Sequence, residues 1–144
     1  RAHFSVWAVM NSPLMLGCDV RGMSESAAAI VTNKDVIALN QDEEGRAPYR
    51  VRQWNNPDNV FSLVKPLSGG DYAVAMVNIS DVTAEMSLQF YDMGLPYSSG
   101  MGLELYDCWT HESAGFFTER ACVDIQPHEC RVFRCRVKKR EKLL

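Results

Sequence analysis

From Tyr49 onward apolar side chains return at every second position, and this alternation constrains the fold more than any other feature. Val60, Ser62 and Val64 alternate with Phe61 and Leu63. Tyr72, Val74 and Met76 alternate with Ala73, Ala75 and Val77, and the period continues through Met86, Leu88 and Phe90. Between the runs lie Asn55-Asn56-Pro57-Asp58-Asn59, Ser68-Gly69-Gly70-Asp71 and the stretch from Asn78 to Thr83, all turn-forming in composition. Further strands are predicted at Leu103 to Trp109, Phe116 to Ile125 and Cys130 to Val137. About seven strands over about ninety residues is the spacing of an antiparallel β-sandwich.

The first forty residues follow a different pattern. Ala2 to Met10 is apolar on nearly every face, with Phe4, Val6, Trp7, Val9 and Met10, and a helix apolar all round must be covered all round. This stretch is therefore expected to begin inside something larger; with a Trp and a His running straight into a proline, it does not resemble a signal peptide. Asn11-Ser12-Pro13 breaks the helix. Leu14 to Leu16 then reads as a short strand of the continuously apolar kind, buried on both faces of a parallel sheet. Ser24 is a plausible N-cap for a helix through Val31, and Lys34 or Asp35 restarts a helical turn through Leu39. Helix, buried strand, helix is a βα-barrel or doubly wound pattern, and here only a slice of one. The pattern divides the chain into residues 1–45, a barrel remnant; residues 46–137, the sandwich; and residues 138–144, a basic tail.

At 144 residues, 47% hydrophobic and 23% charged, the chain has the make-up of a folding protein. A net charge of −3 leaves no basic surface of the kind that nucleic acid binding requires, and no nucleic-acid partner is expected. Arg136, Lys138, Lys139, Arg140 and Lys142, with Glu141 among them, form one basic cluster, and the remainder of the chain sums to −7. A solvated tail is the reading favoured over an anion- or lipid-binding one. No apolar run approaches the ~20 residues that span a bilayer, so a soluble chain with no membrane partner is expected.

Several residue groups carry chemistry in principle. Cys108, His111, Cys122, His128, Cys130 and Cys135 lack the spacing of paired zinc knuckles, and buried thiols and satisfied histidines are the preferred reading, with no metal and no cofactor. A hairpin turning near Pro127 and His128 would set Cys122 opposite Phe133 and Cys130 opposite Ile125, which leaves no cysteine pair in disulfide reach. Five unpaired cysteines point to a reducing compartment. Trp54, Tyr72, Tyr106 and Trp109 are candidates for stacking on sugar faces, but in a small sandwich aromatic residues are mostly core. Met23 and Met76 are read as packing. There is no Gly-rich phosphate loop and no nucleophile elbow.

The stretch PLMLGCDVR, residues 13–21, preceded by FSVWAVMNS and followed by NKDVIALNQDEEG, strongly resembles the end of the catalytic barrel in the α-galactosidases of glycoside hydrolase family 27. VKPLSGGDYAVAMVN, LYDCWTHE and PHECRVFR resemble that family's C-terminal β-sandwich, and the resemblance runs from Phe4 to about Arg136. It implies a (β/α)8 barrel followed by an antiparallel sandwich, of which this chain holds the last helix-strand-helix and the whole sandwich. It also implies hydrolysis of terminal α-galactosyl residues with retention by two aspartates, both on earlier strands than any present here. Extracellular members of the family argue against a reducing compartment. Close relatives act on α-N-acetylgalactosamine or β-L-arabinopyranose.

In such a barrel the C-terminal ends of the strands face the active site, which puts Asp19 at its rim. Asp19 is therefore the candidate substrate-binding residue, a carboxylate able to meet sugar hydroxyls, and the competing reading pairs it with Arg21 or uses it to cap local backbone. Two function classes follow: the C-terminal part of an α-galactosidase, inactive alone, or a non-catalytic sandwich module that supports an enzyme or binds carbohydrate. Residues 2–40 favour the first, because a free-standing module has no use for a barrel helix and strand. Residues 47–137 are expected to fold alone and residues 1–42 are not.

Overall fold

The computed structural model describes residues 1–52 and 58–141, so Trp54 lies outside the described residues. Helix α1 (Ala2–Val9) buries Phe4, Ser5, Ala8 and Val9. Helix α2 (Glu25–Val31) is capped by Ser24, whose hydroxyl accepts from the Ala27 amide at 3.2 Å. In helix α3 (Lys34–Asn40) the cap is Asn33, whose Oδ1 accepts from the amides of Asp35 and Val36 at 3.0 and 3.1 Å. Caps of this kind satisfy amides that the first helical turn leaves without partners.

The strand expected at Leu14 to Leu16 is absent: the backbone there is irregular, Leu16 is exposed and Met15 is 79% exposed. A strand of a parallel sheet takes its hydrogen bonds from neighbours on both sides, and no described strand of this chain pairs with residues 14–16. The apolar run is barrel-like in composition without being folded as barrel within this chain.

The strands are β1 (Tyr49–Arg52), β2 (Val60–Pro66), β3 (Tyr72–Asn78), β4 (Ala84–Gln89), β5 (Met101–Asp107), β6 (Glu112–Phe117), β7 (Arg120–Ile125) and β8 (Cys130–Lys139). Among the described residues β1-β2-β3-β8-β5-β6 form one six-stranded sheet and β4-β7 a second, with every pairing antiparallel. The single strand expected from Phe116 to Ile125 is therefore two strands in different sheets. A bend at residues 118–119 lets the chain cross over, so that Ala121 and Ile125 enter the core while β6 remains largely exposed. For the same reason the hairpin expected at Pro127 does not form. Cys122 lies opposite Ser87, and Cys130 lies opposite Val77. β8 also reaches Lys139, two residues into the stretch expected as tail, because Lys138 and Lys139 pair with Gly102 and Met101 of β5.

Alternation along the strands splits the apolar residues between two layers. Val64, Val74, Met76, Leu103, Leu105 and Phe133 face the small sheet and meet Met86, Leu88, Ala121 and Ile125. On the opposite face Leu63, Ala73, Ala75, Val77 and Val132 pack against Phe4, Ala8 and Val9 of α1 and Val36 and Leu39 of α3. Strand β3 is thus covered on both sides, which is why six consecutive residues, Ala73–Asn78, are buried. Small side chains at Ala73 and Ala75 let the helix approach closely. The helices and the sheet share one apolar cluster, so the helical segment is a third layer on the sandwich.

Candidate functional site

Side-chain hydrogen bonds fasten the helical layer to the sheet, and they determine where the PLMLGCDVR stretch leaves the protein. Asn11 closes α1 with φ of +60°, a left-handed conformation that asparagine tolerates better than most residues. Its Nδ2 donates to the Gly45 carbonyl at 2.8 Å, and its Oδ1 accepts from Lys65 Nζ at 2.9 Å. Lys65 on β2 is fully buried and also donates to the Leu39 carbonyl near the end of α3. Burial pushes its ammonium below the ordinary lysine value, and the charge of Asp42 opposes that shift. Asn40 Nδ2 donates to the carbonyls of Ala8 and Ser12 at 3.1 and 2.8 Å. Asp42 accepts from the Ser68 amide at 3.0 Å and its hydroxyl at 2.8 Å. For Asp42 burial alone would raise the pKa, but the bonds from Ser68 and Glu44 and the charge of Lys65 outweigh it, and the carboxyl lies below the ordinary value.

The amino end of α3 is held as firmly. Asn33 Nδ2 donates to the Cys108 carbonyl at 2.9 Å, Tyr106 OH donates to Asp35 at 3.0 Å, and His111 Nδ1 lies 2.6 Å from the same carboxylate. Trp109 Nε1 donates to the Ser5 hydroxyl at 2.9 Å. Tyr106 and Trp109 are accordingly used in docking the helices, and Tyr72 OH donates to the Met93 carbonyl at 3.1 Å. All three are half-buried and engaged through their polar ends rather than standing exposed on the surface. Tyr97 and Phe116 are exposed instead, lining a groove of 1010 Å³ beside the Lys138–Glu104 ion pair of 2.8 Å. Neither was singled out from the sequence, since only the exposure of Tyr97 on its 3₁₀ turn and of Phe116 on β6 distinguishes them.

Beyond Asn11 and Ser12 the chain projects outward. Asp19 accepts from the Arg21 amide and Nε at 3.0 Å each through Oδ1, and from Nη2 at 2.8 Å through Oδ2. Both competing roles are realised at once, since it pairs with Arg21 and caps the 3₁₀ turn Val20–Gly22. The Arg21 guanidinium and amide hold the carboxyl below its ordinary value. An exposed, paired carboxylate of this kind stays ionised at neutral pH and can accept hydrogen bonds from hydroxyl groups, whereas a general acid must hold a proton.

All five cysteines are free thiols. Burial raises Cys108 and Cys130 to about 12 and raises Cys135 further, so these three are inert as nucleophiles. His128 pairs with Asp81 at 2.8 Å and His111 with Asp35, and among the described residues no cluster of three or more His, Cys, Asp or Glu side chains has the arrangement of a metal site.

Two antiparallel sheets with a helical layer packed on the larger one define the class of fold, a β-sandwich with an added layer of helices. Residues 58–135 match the alpha galactosidase C-terminal beta sandwich domain family, and residues 1–42 match alpha galactosidase A. The chain belongs to the α-galactosidase family, glycoside hydrolase family 27, and corresponds to the C-terminal sandwich together with the end of the preceding TIM barrel. It is 31% identical over 133 residues to an alpha-galactosidase of Cyamopsis tetragonoloba, a match covering 92% of this chain and 31% of the relative. With an alpha-galactosidase of Oryza sativa subsp. japonica it shares 34% over 135 residues, 92% of this chain and 30% of that one. Alpha-galactosidase I from Mortierella vinacea superposes with a TM-score of 0.81 at 26% identity, over 92% of this chain and 34% of the other. The chain thus spans about a third of the length of these relatives.

Proposed function

We propose that this chain is the C-terminal part of a retaining α-galactosidase that hydrolyses terminal α-D-galactosyl residues, with both catalytic aspartates on barrel strands that precede Arg1 in the longer enzyme. Relatives of 30% identity and above that bear the name alpha-galactosidase support the substrate class. The observation that carries the reading is the helical layer: α1 and α3 bury their apolar faces on the sandwich, while the barrel-like run at residues 14–16 is left without partner strands. In the longer enzyme that run takes its place between neighbouring barrel strands. Asp19 then stands at the rim, where its ionised carboxylate meets substrate hydroxyls and takes no part in bond cleavage. The proposed organisation is residues 1–45 as barrel, residues 46–137 as sandwich with β8 carrying on to Lys139, and a basic tail beyond.

Retaining hydrolysis needs two carboxylates about 5–5.5 Å apart, one attacking the anomeric carbon as the other donates and then recovers a proton. Asp19 is already engaged by Arg21 and fits neither part. The test is the anomeric configuration of galactose released by the longer enzyme from an aryl α-galactoside, followed by proton NMR. The α-anomer must appear first, and the β-anomer first would refute retention. The Tyr97 and Phe116 groove favours a second reading, a sandwich that binds carbohydrate without catalysis. Titration of the chain with a galacto-oligosaccharide, followed by NMR shifts at those two rings, checks it.

A further inference from the structure

We propose that Lys65 is a positioning residue, through which the sandwich fixes the point where the barrel strand carrying Asp19 begins; this rests on the functional reading above. Lys65 is a fully buried lysine whose ammonium meets two neutral acceptors, the Asn11 side chain and the Leu39 carbonyl. A charge in such a place costs more than an apolar side chain of the same size, so its return lies in specificity of placement. One acceptor lies in α3 and the other just beyond the end of α1. Leu39 lies in the last turn of α3, where the unpaired carbonyls of a helix end favour a cation, and Asn11 lies two residues beyond α1, immediately before Ser12-Pro13.

The contact is also directional. Asn11 holds an uncommon left-handed backbone while its amide group bridges Lys65 on one side and Gly45 on the other. Asn40 secures the adjacent Ser12 carbonyl. One lysine on the sandwich therefore registers the exit of α1 against the end of α3, and the exit of α1 sets the start of the barrel strand. The charge of Asp42 acts on Lys65, and Ser68 of the sandwich holds Asp42 in turn. In a barrel enzyme a shift of about 1 Å at the rim is enough to lower turnover strongly.

Lys65→Met keeps the length and apolar stem of the side chain and removes the charge; Lys65→Arg keeps the charge and the donors; Asn11→Gly keeps the left-handed backbone and removes the bridging amide. Hydrogen exchange of the 144-residue chain is expected to accelerate about tenfold in Lys65→Met and Asn11→Gly at residues 2–12 and 34–45, with the β3–β8 ladder unchanged. In the longer enzyme Lys65→Met is expected to lower kcat about tenfold with KM within about twofold, and Lys65→Arg to restore most of it. Exchange that stays unchanged, or rises equally in the sandwich, overturns the assignment, as does an unaltered kcat. If the longer enzyme with native Lys65 leaves α-galactosides intact, the functional reading fails, while the exchange pattern still decides the role of Lys65.

Discussion

Ser62 and Lys65 lie three residues apart on β2, both fully buried, and their polar atoms meet opposite circumstances. The Ser62 hydroxyl faces the interior between the sheets with no hydrogen-bond partner, whereas the Lys65 ammonium has two. Ser62→Ala removes an unsatisfied hydroxyl and is expected to stabilise the chain by about 1 kcal/mol, read as a raised urea midpoint at unchanged slope. Asp42 gives a pH signature. Its folded-state pKa lies below the ordinary 3.8, so its stabilisation is complete above that value and is lost as pH falls through the lower, folded-state value. The stability advantage of the native chain over Asp42→Asn is accordingly expected to hold above about pH 4 and to shrink as pH falls below it, measured by denaturant titration at each pH. At this scale the sequence was only partly legible. The Asp19–Arg21 pair was readable, because two residues apart on a turn suffice to join them. Lys65 was not, because a lysine before a proline at a strand end reads as solvated, and helices far away in sequence are what bury it.

At the scale of elements, alternation revealed β2, β3 and β4, where one side of each strand faces the small-sheet core. It failed across residues 112–125, because β6 and β7 continue one another in sequence while belonging to different sheets. A two-residue period cannot show a crossover when both strands keep the period. The β5–β6 contact has a local cause as well. Gly102 is so close to β6 that a Cβ there would lie 2.5 Å from the Phe117 carbonyl oxygen and 2.5 Å from the Phe116 ring. Gly102→Ala is expected to destabilise the chain by about 1–3 kcal/mol, since the backbone oxygen cannot move aside, and the urea midpoint measures it.

For the whole molecule, the α-helices end at Asn40 and the first strand begins at Tyr49, on either side of the change in pattern near residue 45, but that change did not reveal how far helices and strands share a core. Leu63, Ala73, Ala75, Val77 and Val132 lie beneath α1 and α3, so the sandwich presents a broad apolar face once the helices are removed. The simple expectation that residues 47–137 fold alone is therefore replaced by a sharper one. A chain of residues 46–139 is expected to keep its far-ultraviolet β signal yet bind an apolar dye and self-associate, and a monomer that leaves the dye dark would show that the helical layer covers little. The central claim, that this chain braces a catalytic centre it does not itself hold, is tested most directly by assaying an aryl α-galactoside with the 144-residue chain and with the longer enzyme at equal concentration. Hydrolysis by the longer enzyme and none above background by the chain is the expected result. Turnover by the 144-residue chain alone would contradict it.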